Sequence, residues 1–493
     1  MRLKSRILKI SAQGHLVCML NSEEAEELHI RNADRVAVRK GRKEVIAVVD
    51  ITNTHHFLKK GQIGLMQELA EELGVKRGEP LEVDIADPPL SVDYIRRKAL
   101  GETLDDSQLY YIVSDIASGK LSEQEISVFM TACLSNGLKD KELIGLVSSL
   151  RSSGDVTDFT HHPLVDLRIV GDASGMLKQA VSSIVSAAGV NILGIMESAG
   201  SKPSSSSDIF RVLGATPGKT KNANTALSRY NCAYISQEDD SIPIALRHIR
   251  NCEAPLSMYP KDLHVASILS LGLALRTSHI YTCIFYGQYG DIKDQHEAKV
   301  ISRLIDRISK KLKLRTDSLV MASQDMSLGC SGPFLEADAL LKIFTEEEEY
   351  AEIREKLIMI SAEIIDMVKG SGGRRIAREV MDSGKALDHM LKLLRYYGSK
   401  TKRNSTTKKS TFKSIIRAQK DSTVMSVDAR NMHRLARMTG APNDLFSGVE
   451  LHKGLHSVVS EGEPLMTLHS SNKSRLSRAK NFIDKIPVFE LSD

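Results

Sequence analysis

The stretch VDLRIVGDASGMLKQAVSSIVSAAGVNILGI, residues 165–195, sets the fold of the largest part of the chain. Two short apolar runs rich in Val, Ile and Leu flank the segment MLKQAVSSIVSAAG, whose apolar residues recur at helical spacing. Such runs, bounded by glycine and small polar residues, are typical of buried strands on either side of a helix. The stretch therefore predicts the strand–helix–strand unit of an α/β layer.

The same alternation continues towards the C-terminus. NCAYIS, HIYTCIFYG and DSLVMASQ resemble strands, and amphipathic segments such as DLHVASILSLGLALR and DQHEAKVISRLIDRISKKL separate them. Strands that are joined through helices run in the same direction. We therefore expect a mixed, largely parallel sheet in an α/β domain that spans residues 161–398.

Two smaller units precede this domain. Residues 1–87 contain the β-rich runs RILKISA, HLVCML, RVAVRK and EVIAVVD, which predict a mostly β N-terminal domain. Residues 90–160 contain four helical patterns in succession, which predict a small helical domain. Ser122 and Glu125 form a capping box before one of these helices. The preceding helix carries an apolar stripe of Leu109, Ile112, Val113 and Ile116.

The C-terminal part follows a basic segment. Residues 399–410, SKTKRNSTTKKS, contain neither acidic nor apolar residues. This composition favours a solvated loop, and an arm that binds anions or nucleic acid is the alternative. In residues 411–493, strand-like runs surround the helical pattern NMHRLARMTG and predict an α+β domain. The overall expectation is a multidomain α/β protein.

Composition excludes several classes of protein. The net charge of +5 over 493 residues is too small to indicate nucleic acid or an anionic membrane as a partner. No apolar run approaches the roughly 20 residues that span a bilayer, and the N-terminus lacks the apolar region of a signal peptide. The six cysteines are scattered, without a zinc-type spacing, so we expect free thiols, no metal and a cytoplasmic location.

Several segments, in a common order, resemble the family of AMP phosphorylases and thymidine phosphorylases. The resemblance covers nearly the whole chain, and the ordered set is specific although no single segment decides it. The segments are GQIGLMQELAEELGVKRGEPLEV, IVSDIASGKLSEQEISVFMTACLSNGLKDKELIGLVSSLRSSGD, CEAPLSMYPKDLHVASILS, SLGCSGPFLEADALLKIF, SGKAL, FKSIIRAQ and GAPNDLFSGVELHKGLHSVVSEGEPLMTLHS.

The resemblance implies a helical domain and an α/β domain with the site between them. Family members cleave the N-glycosidic bond of a nucleoside or nucleoside monophosphate by phosphorolysis, and they form dimers or larger homo-oligomers. Inorganic phosphate is then a co-substrate, and no cofactor or metal is implied. The chemistry needs cations or N–H groups around the phosphate, because a dianion is costly to desolvate unless it is paired.

The loop that binds phosphate in the family corresponds to residues 166–172. Gly171 matches a family glycine, whereas Leu167, Arg168 and Ile169 replace the family's Lys, His and Ser. Arg168 is a candidate replacement cation, since a guanidinium binds phosphate well. The alternative is a plain strand-to-helix turn with no ligand.

A second family segment, which holds base and sugar phosphate, corresponds to residues 195–208. Ser201 and Ser206 keep hydroxyl groups where the family has Thr, and Lys202 adds a cation. Ser198 stands where the family has Arg. Anion binding by these residues and simple helix capping by Ser or Asp are both open.

In the third segment, Tyr259 stands at the position of the family's proton-donating Asp. A tyrosine is a weak substitute, because its ordinary pKa is near 10. Ser267 matches a family serine. The family's cations are absent at five positions, which are Leu167, Ser198, Ala254, Leu271 and Asp291.

The sequence thus leaves three functions open. The first is an active phosphorylase of nucleosides or nucleoside monophosphates. The second is a catalytically inactive member that acts as a binding or regulatory homo-oligomer. The third, which the sequence favours least, is a protein associated with nucleic acid through residues 399–410 and the stretch SNKSRLSRAKN.

Overall fold

The protein is described from a computed structural model. It describes residues 1–12, 16–54, 57–171, 174–198, 200, 202–253, 261–288, 290–326, 328–345, 348, 350–400 and 412–492. The chain forms two compact units. The first consists of Met1–Ser153 and Ile244–Cys252, and the second of Gly154–Pro243 and Glu253–Asp493.

The N-terminal part of the first unit is a closed barrel with strand order β1-β5-β2-β4-β3-β6. Apolar residues that alternate along the strands fill its interior. This alternation is the pattern from which the sequence predicted a mostly β domain. The sequence did not reveal the short helix α1 or the strand β5. The elements are β1 (Arg2–Ile7), β2 (Val17–Asn21), α1 (Ser22–Glu27), β3 (Arg35–Lys40), β4 (Lys43–Thr52), β5 (Gln62–Leu65), α2 (Gln67–Leu73) and β6 (Pro80–Ile85).

Four helices follow the barrel, as the sequence predicts. They are α3 (Leu90–Ala99), α4 (Asp106–Ala117), α5 (Glu123–Asn136) and α6 (Asp140–Ser152). The capping box of Ser122 and Glu125 is present at the start of α5, and the predicted stripe of α4 is buried. Lys98 on α3 and Glu142 on α6 form a buried ion pair with an N–O distance of 2.7 Å.

The second unit is built on a parallel sheet with the order β11-β10-β7-β8-β9, and every pairing described within it is parallel. All five strands match the predicted runs, so the predicted fold class is confirmed for this domain. The elements are β7 (Leu164–Gly171), α7 (Leu177–Ala187), β8 (Asn191–Met196), α8 (Ser206–Val212), α9 (Thr220–Tyr230), β9 (Cys232–Ser236), α11 (Lys261–Ala274), β10 (His279–Tyr286), α12 (Gln295–Lys311) and β11 (Thr316–Ala322). Helix α10 (Ile244–Glu253) lies between β9 and α11 in the chain, and its residues up to Cys252 belong to the first unit.

Helix α7 is the centre of the core. Residues Leu177 to Ser186 of this helix are all buried, which is expected of a helix that packs between a sheet and other helices. Helices α14, α15 and α16 contact it, as do strands β7, β8 and β9 of the sheet. The elements of this region are β12 (Cys330–Ser331), α13 (Pro333–Thr345), α14 (Ala351–Lys369), α15 (Gly373–Asp382) and α16 (Lys385–Tyr396).

The C-terminal part is the predicted α+β unit. Two helices pack on a sheet of order β12-β15-β17-β13, and a smaller sheet has the order β16-β14-β18. The elements are β13 (Phe412–Arg417), β14 (Ser422–Val427), α17 (Ala429–Thr439), β15 (Gly448–Leu451), β16 (Val458–Val459), β17 (Pro464–Ser470), α18 (Lys473–Asn481) and β18 (Phe489–Leu491). Most of the basic segment at 399–410 lies outside the described residues.

Two further features bear on the composition-based expectations. All six cysteines are free, and five of them are buried. Within the described residues, no helix combines the length and apolar character that a membrane-spanning helix requires.

The buried ion pair of the helical part gives a first prediction. Burial raises the pKa of Glu142, but the Lys98 ammonium and two backbone N–H groups outweigh it, so the pKa lies below its ordinary value. Lys98→Met leaves this charge without its partner, and we expect α3–α6 to lose about 3–5 kcal/mol of stability. The exposed pair Arg96–Asp93 supplies the control, because Arg96→Met should cost less than about 1 kcal/mol.

Hydrogen exchange of the amides in α3–α6 measures both effects in the full chain. Equal protection in the two variants would contradict a structural role for the Lys98–Glu142 pair.

Candidate functional site

The candidate site is the region where β7 and β8 end and their loops begin. In open parallel sheets, ligands bind beyond the carboxyl ends of the strands, so this is where the fold would place a ligand. Gly171 is the last residue of β7 and has a φ of +86°. A Cβ at this position would lie 2.0 Å from the carbonyl oxygen of Phe285 on β10. Glycine is therefore required by close approach of two strands, independently of any ligand.

Arg168 lies on β7, but its guanidinium points into the protein. Its Nε and Nη2 donate hydrogen bonds of 2.9 and 2.6 Å to one carboxylate oxygen of Asp166, two residues earlier on the same strand. Both side chains are almost completely buried. Burial raises the pKa of Asp166, although the positive charge of Arg168 acts in the opposite direction. Arg168 is thus committed to an internal ion pair.

A second buried cation lies between the ends of the two strands. The ammonium of Lys178, on the first turn of α7, donates a hydrogen bond to the backbone carbonyl of Ile195 at the end of β8. The same ammonium lies 3.8 Å from the carboxylate of Glu197. Lys178 therefore also faces oxygen atoms of the protein itself.

Lys202 and Ser206 lie close to the same strand ends. The Lys202 ammonium donates to the carbonyl oxygen of Gly171 at 3.0 Å, which ties the second predicted segment to the first. The Ser206 hydroxyl accepts a hydrogen bond of 3.0 Å from the backbone N–H of Glu197. The structure thus brings Gly171 and Lys202 together, and it places the Ser206 hydroxyl on the backbone just after β8.

The structure does not bring the other predicted residues that it describes to the strand ends. Ser267 is buried in α11, where its carbonyl accepts a hydrogen bond from the Ser270 hydroxyl. Ser201 and Tyr259 lie outside the described residues, so their predicted roles remain predictions. Leu167 packs in the hydrophobic core on the face of β7 opposite Arg168, and Leu271 is buried in α11.

Sequence reasoning missed one residue of this region, Glu336. Its carboxylate, on the first turn of α13, accepts hydrogen bonds from the Ser174 hydroxyl and from the N–H groups of Gly175 and Gly332. Burial raises its pKa despite these donors. The side chain joins the β7–α7 loop to the start of α13. An acidic residue that follows Ser-Gly-Pro at a helix start was a usable signal.

The described residues offer no group of three or more His, Cys, Asp and Glu side chains that could hold a metal ion. What the region contains is a set of buried carboxylates and cations that pair with one another and with backbone carbonyls.

Two parts of the chain match domains of known protein families. Residues 92–154 match the helical bundle domain of the glycosyl transferase family, and residues 423–487 match the C-terminal domain of pyrimidine nucleoside phosphorylases. The two matches cover the helical part and the C-terminal part, so these parts resemble domains of glycosyl transferases and pyrimidine nucleoside phosphorylases.

Relatives that are similar over nearly their full length make the resemblance more specific. The chain is 28% identical to the AMP phosphorylase of Pyrococcus furiosus, with 97% of this chain and 95% of the relative covered. It is 27% identical to that of Methanocaldococcus jannaschii, with the same coverage. A putative thymidine phosphorylase of Bradyrhizobium sp. is 26% identical, with 89% and 86% covered. The resemblance to the AMP phosphorylase and thymidine phosphorylase family is therefore confirmed over nearly the whole chain.

Among solved structures, an anthranilate phosphoribosyltransferase from Thermus thermophilus is similar at a TM-score of 0.49 and 15% identity. The match covers 62% of this chain and 99% of that one. A likeness at this level supports no argument about the present protein.

The strand junction at Gly171 gives a second prediction. Gly171→Ala should destabilise the second unit strongly, because β7 and β10 would have to separate to admit a Cβ. Gly200→Ala is the matched control: this glycine also has a positive φ, +54°, but no atom lies within 4 Å of the added Cβ. The control should therefore lose only the conformational cost of about 1–2 kcal/mol. Scanning calorimetry of both variants measures the difference, and equal transitions would refute it.

The Asp166–Arg168 pair gives a third prediction. Arg168→Met should cost about 3–5 kcal/mol, because it leaves a buried carboxylate without its cation. The double variant Asp166→Val with Arg168→Met should recover most of this loss, since both charges are removed together. Chemical denaturation followed by circular dichroism compares the three proteins. An Arg168→Met variant as stable as the parent would contradict the structural role of this ion pair.

Proposed function

We propose that this protein is a phosphorylase-family member that does not catalyse phosphorolysis and acts by binding. One observation carries the proposal. Three cations on or beside the strand ends, Arg168, Lys178 and Lys202, each donate to oxygen atoms of the protein itself. A phosphate dianion brought to the loops beyond the strand ends would have to compete with Asp166, Glu197 and backbone carbonyls for them.

The cost of the missing charges supports this proposal. The resemblance implies cations at five positions where the chain has Leu167, Ser198, Ala254, Leu271 and Asp291. A hydrogen bond to a charged group contributes roughly 1.5–3 kcal/mol, so the loss of several removes most of the affinity for a dianion. Without bound phosphate the reaction has no nucleophile.

The contacts of the loop between β7 and α7 support the same conclusion. The Glu336 carboxylate already accepts a hydrogen bond from the backbone N–H of Gly175, just before α7. A backbone N–H at the start of a helix could otherwise donate to a bound anion. A dianion placed there would also meet the buried Glu336 carboxyl group. Retained packing with internal pairing is consistent with a binding or regulatory role, and we expect the protein to exert it as a homo-oligomer.

Phosphorolysis is the second candidate, and Lys202 favours it. An ammonium has three donors, and the structure describes one acceptor for that of Lys202, the Gly171 carbonyl. The relatives are named AMP phosphorylase, so AMP is the first substrate to test. In this second candidate, Lys202 and Ser206 would hold the phosphate.

Base release from AMP, CMP, uridine and thymidine, with and without inorganic phosphate, separates the two candidates. We expect no phosphate-dependent release by the purified full chain, and no shift of its thermal transition on addition of phosphate. Both results are expected because Arg168, Lys178 and Lys202 already donate hydrogen bonds to oxygen atoms of the protein.

Lys202→Met and its matched control Lys221→Met, an exposed lysine on α9, complete the experiment. Phosphate-dependent release that Lys202→Met abolishes and Lys221→Met preserves would overturn the proposal in favour of the second candidate.

A further inference from the structure

Two adjacent helices of the C-terminal part carry cations and no acid. Helix α17 has the sequence ARNMHRLARMT, and α18 has the sequence KSRLSRAKN. They pack against each other and against the four-stranded sheet. We call their exposed cations the basic face, and they are Arg430, Arg434, Arg437, Lys473, Arg475, Arg478 and Lys480.

The arginines of α17 form a single line that points away from the core. Arg430, Arg434 and Arg437 follow one another at intervals of one helical turn, and all three are exposed. The buried residues of the helix, among them Leu435 and Thr439, lie on the opposite side. Arg437 also donates to the carbonyl of Gly200.

Helix α18 extends this line into a surface. Leu476 and Ala479 anchor it, and every other position of the helix is exposed. Within the described part of the chain, Arg434, Arg475 and Arg478 form no ion pair with a carboxylate. Their positive charge is therefore directed to solvent.

Helices α12 and α15 also carry exposed cations, but they carry acidic residues as well. On α12 the Lys310 ammonium pairs with Asp306 one turn earlier, and on α15 the Arg378 guanidinium pairs with Glu355 of α14. A mixed surface of this kind is the ordinary way to stabilise an exposed helix. Arg434, Arg475 and Arg478 of the basic face lack such a pair within the described residues.

The arrangement is also unfavourable within each helix. Like charges one turn apart repel each other. Arg430, Lys473 and Arg475 lie in the first turns of their helices, where the helix dipole disfavours positive charge. Arg437, Arg478 and Lys480 lie in the last turns, where the dipole favours it. A bound polyanion would relieve both kinds of repulsion.

The chemistry of the surface indicates which polyanion. None of the large apolar side chains that are exposed among the described residues lies in α17 or α18, so neither helix has the apolar face that inserts into a bilayer. The positions between the cations include Ser474 and Ser477, whose hydroxyls can donate to phosphate oxygens. Arginine is well suited to phosphate groups because of its planar fork of donors.

We propose that the basic face binds the phosphodiester backbone of nucleic acid, without preference for base sequence. The sequence alone did not favour this partner, because the basic segment at 399–410 has no interleaved aromatic residues and the net charge is small. The fold places the α17 arginines beside α18 and so creates the cluster. The proposal does not depend on whether the protein catalyses phosphorolysis.

The test measures binding of the full chain to labelled RNA, single-stranded DNA and duplex DNA of mixed sequence by fluorescence anisotropy. We expect affinity that falls steeply between about 50 and 200 mM salt. Arg434→Gln, Arg478→Gln and Lys480→Gln together should weaken binding about tenfold or more and reduce the salt slope by about three.

The matched control removes the same charge elsewhere. Lys299→Gln, Arg303→Gln and Arg307→Gln alter an exposed line of three cations on α12 and should leave binding unchanged. Both triple variants should keep the parent's thermal transition, since all six side chains are exposed. A second measurement replaces the nucleic acid with vesicles of phosphatidylcholine and phosphatidylserine.

Three results would overturn the proposal. The first is no binding to any of the three nucleic acids at low salt. The second is an equal loss of binding in the two triple variants, which would indicate attraction by overall charge. The third is binding to the anionic vesicles in place of nucleic acid.

Discussion

The ion pair between Asp166 and Arg168 is the constraint on which the site depends. It lies on β7, the middle strand of the parallel sheet, with both groups removed from water. A buried charge is tolerated only when a partner of opposite sign is close. Arg168 is therefore needed by Asp166, and it cannot turn to a ligand in the loop beyond Gly171 without leaving a carboxylate uncompensated. Electrostatics inside the sheet thus limits the chemistry at its edge.

The contacts beyond this strand repeat the pattern. Lys178, Lys202 and Glu336 each bind a neighbouring loop or strand end, so the region is held together by its own charges. Relatives at 26–28% identity span nearly the full chain, which shows how much substitution the scaffold accepts. Packing needs only apolar residues of suitable size, whereas anion binding needs a charge at particular positions.

The sequence predicted the elements whose patterns are local. The five strands of the parallel sheet, the stripe of α4 and the capping box at Ser122 all appear where they were expected. It missed α1, β5 and β12, which are short and take part in a sheet or barrel only through distant partners. Lys202 and Ser206 were found through the family resemblance, and the contacts of Lys202 with Gly171 and of Ser206 with Glu197 came from the structure.

The amino-acid sequence by itself determined the longer strands and helices, because periodicity, caps and turn residues act over a few positions. It also carried the family resemblance, through segments that occur in a common order. Only the tertiary structure decided which charge each side chain meets. From the sequence, Arg168 could face a ligand or Asp166, and Glu336 could be exposed or could be a buried acceptor that links two loops. The arginines of α17 could likewise lie alone or beside the cations of α18. These outcomes depend on residues far apart in the chain, and a charge interacts with whatever the fold brings within a few ångströms.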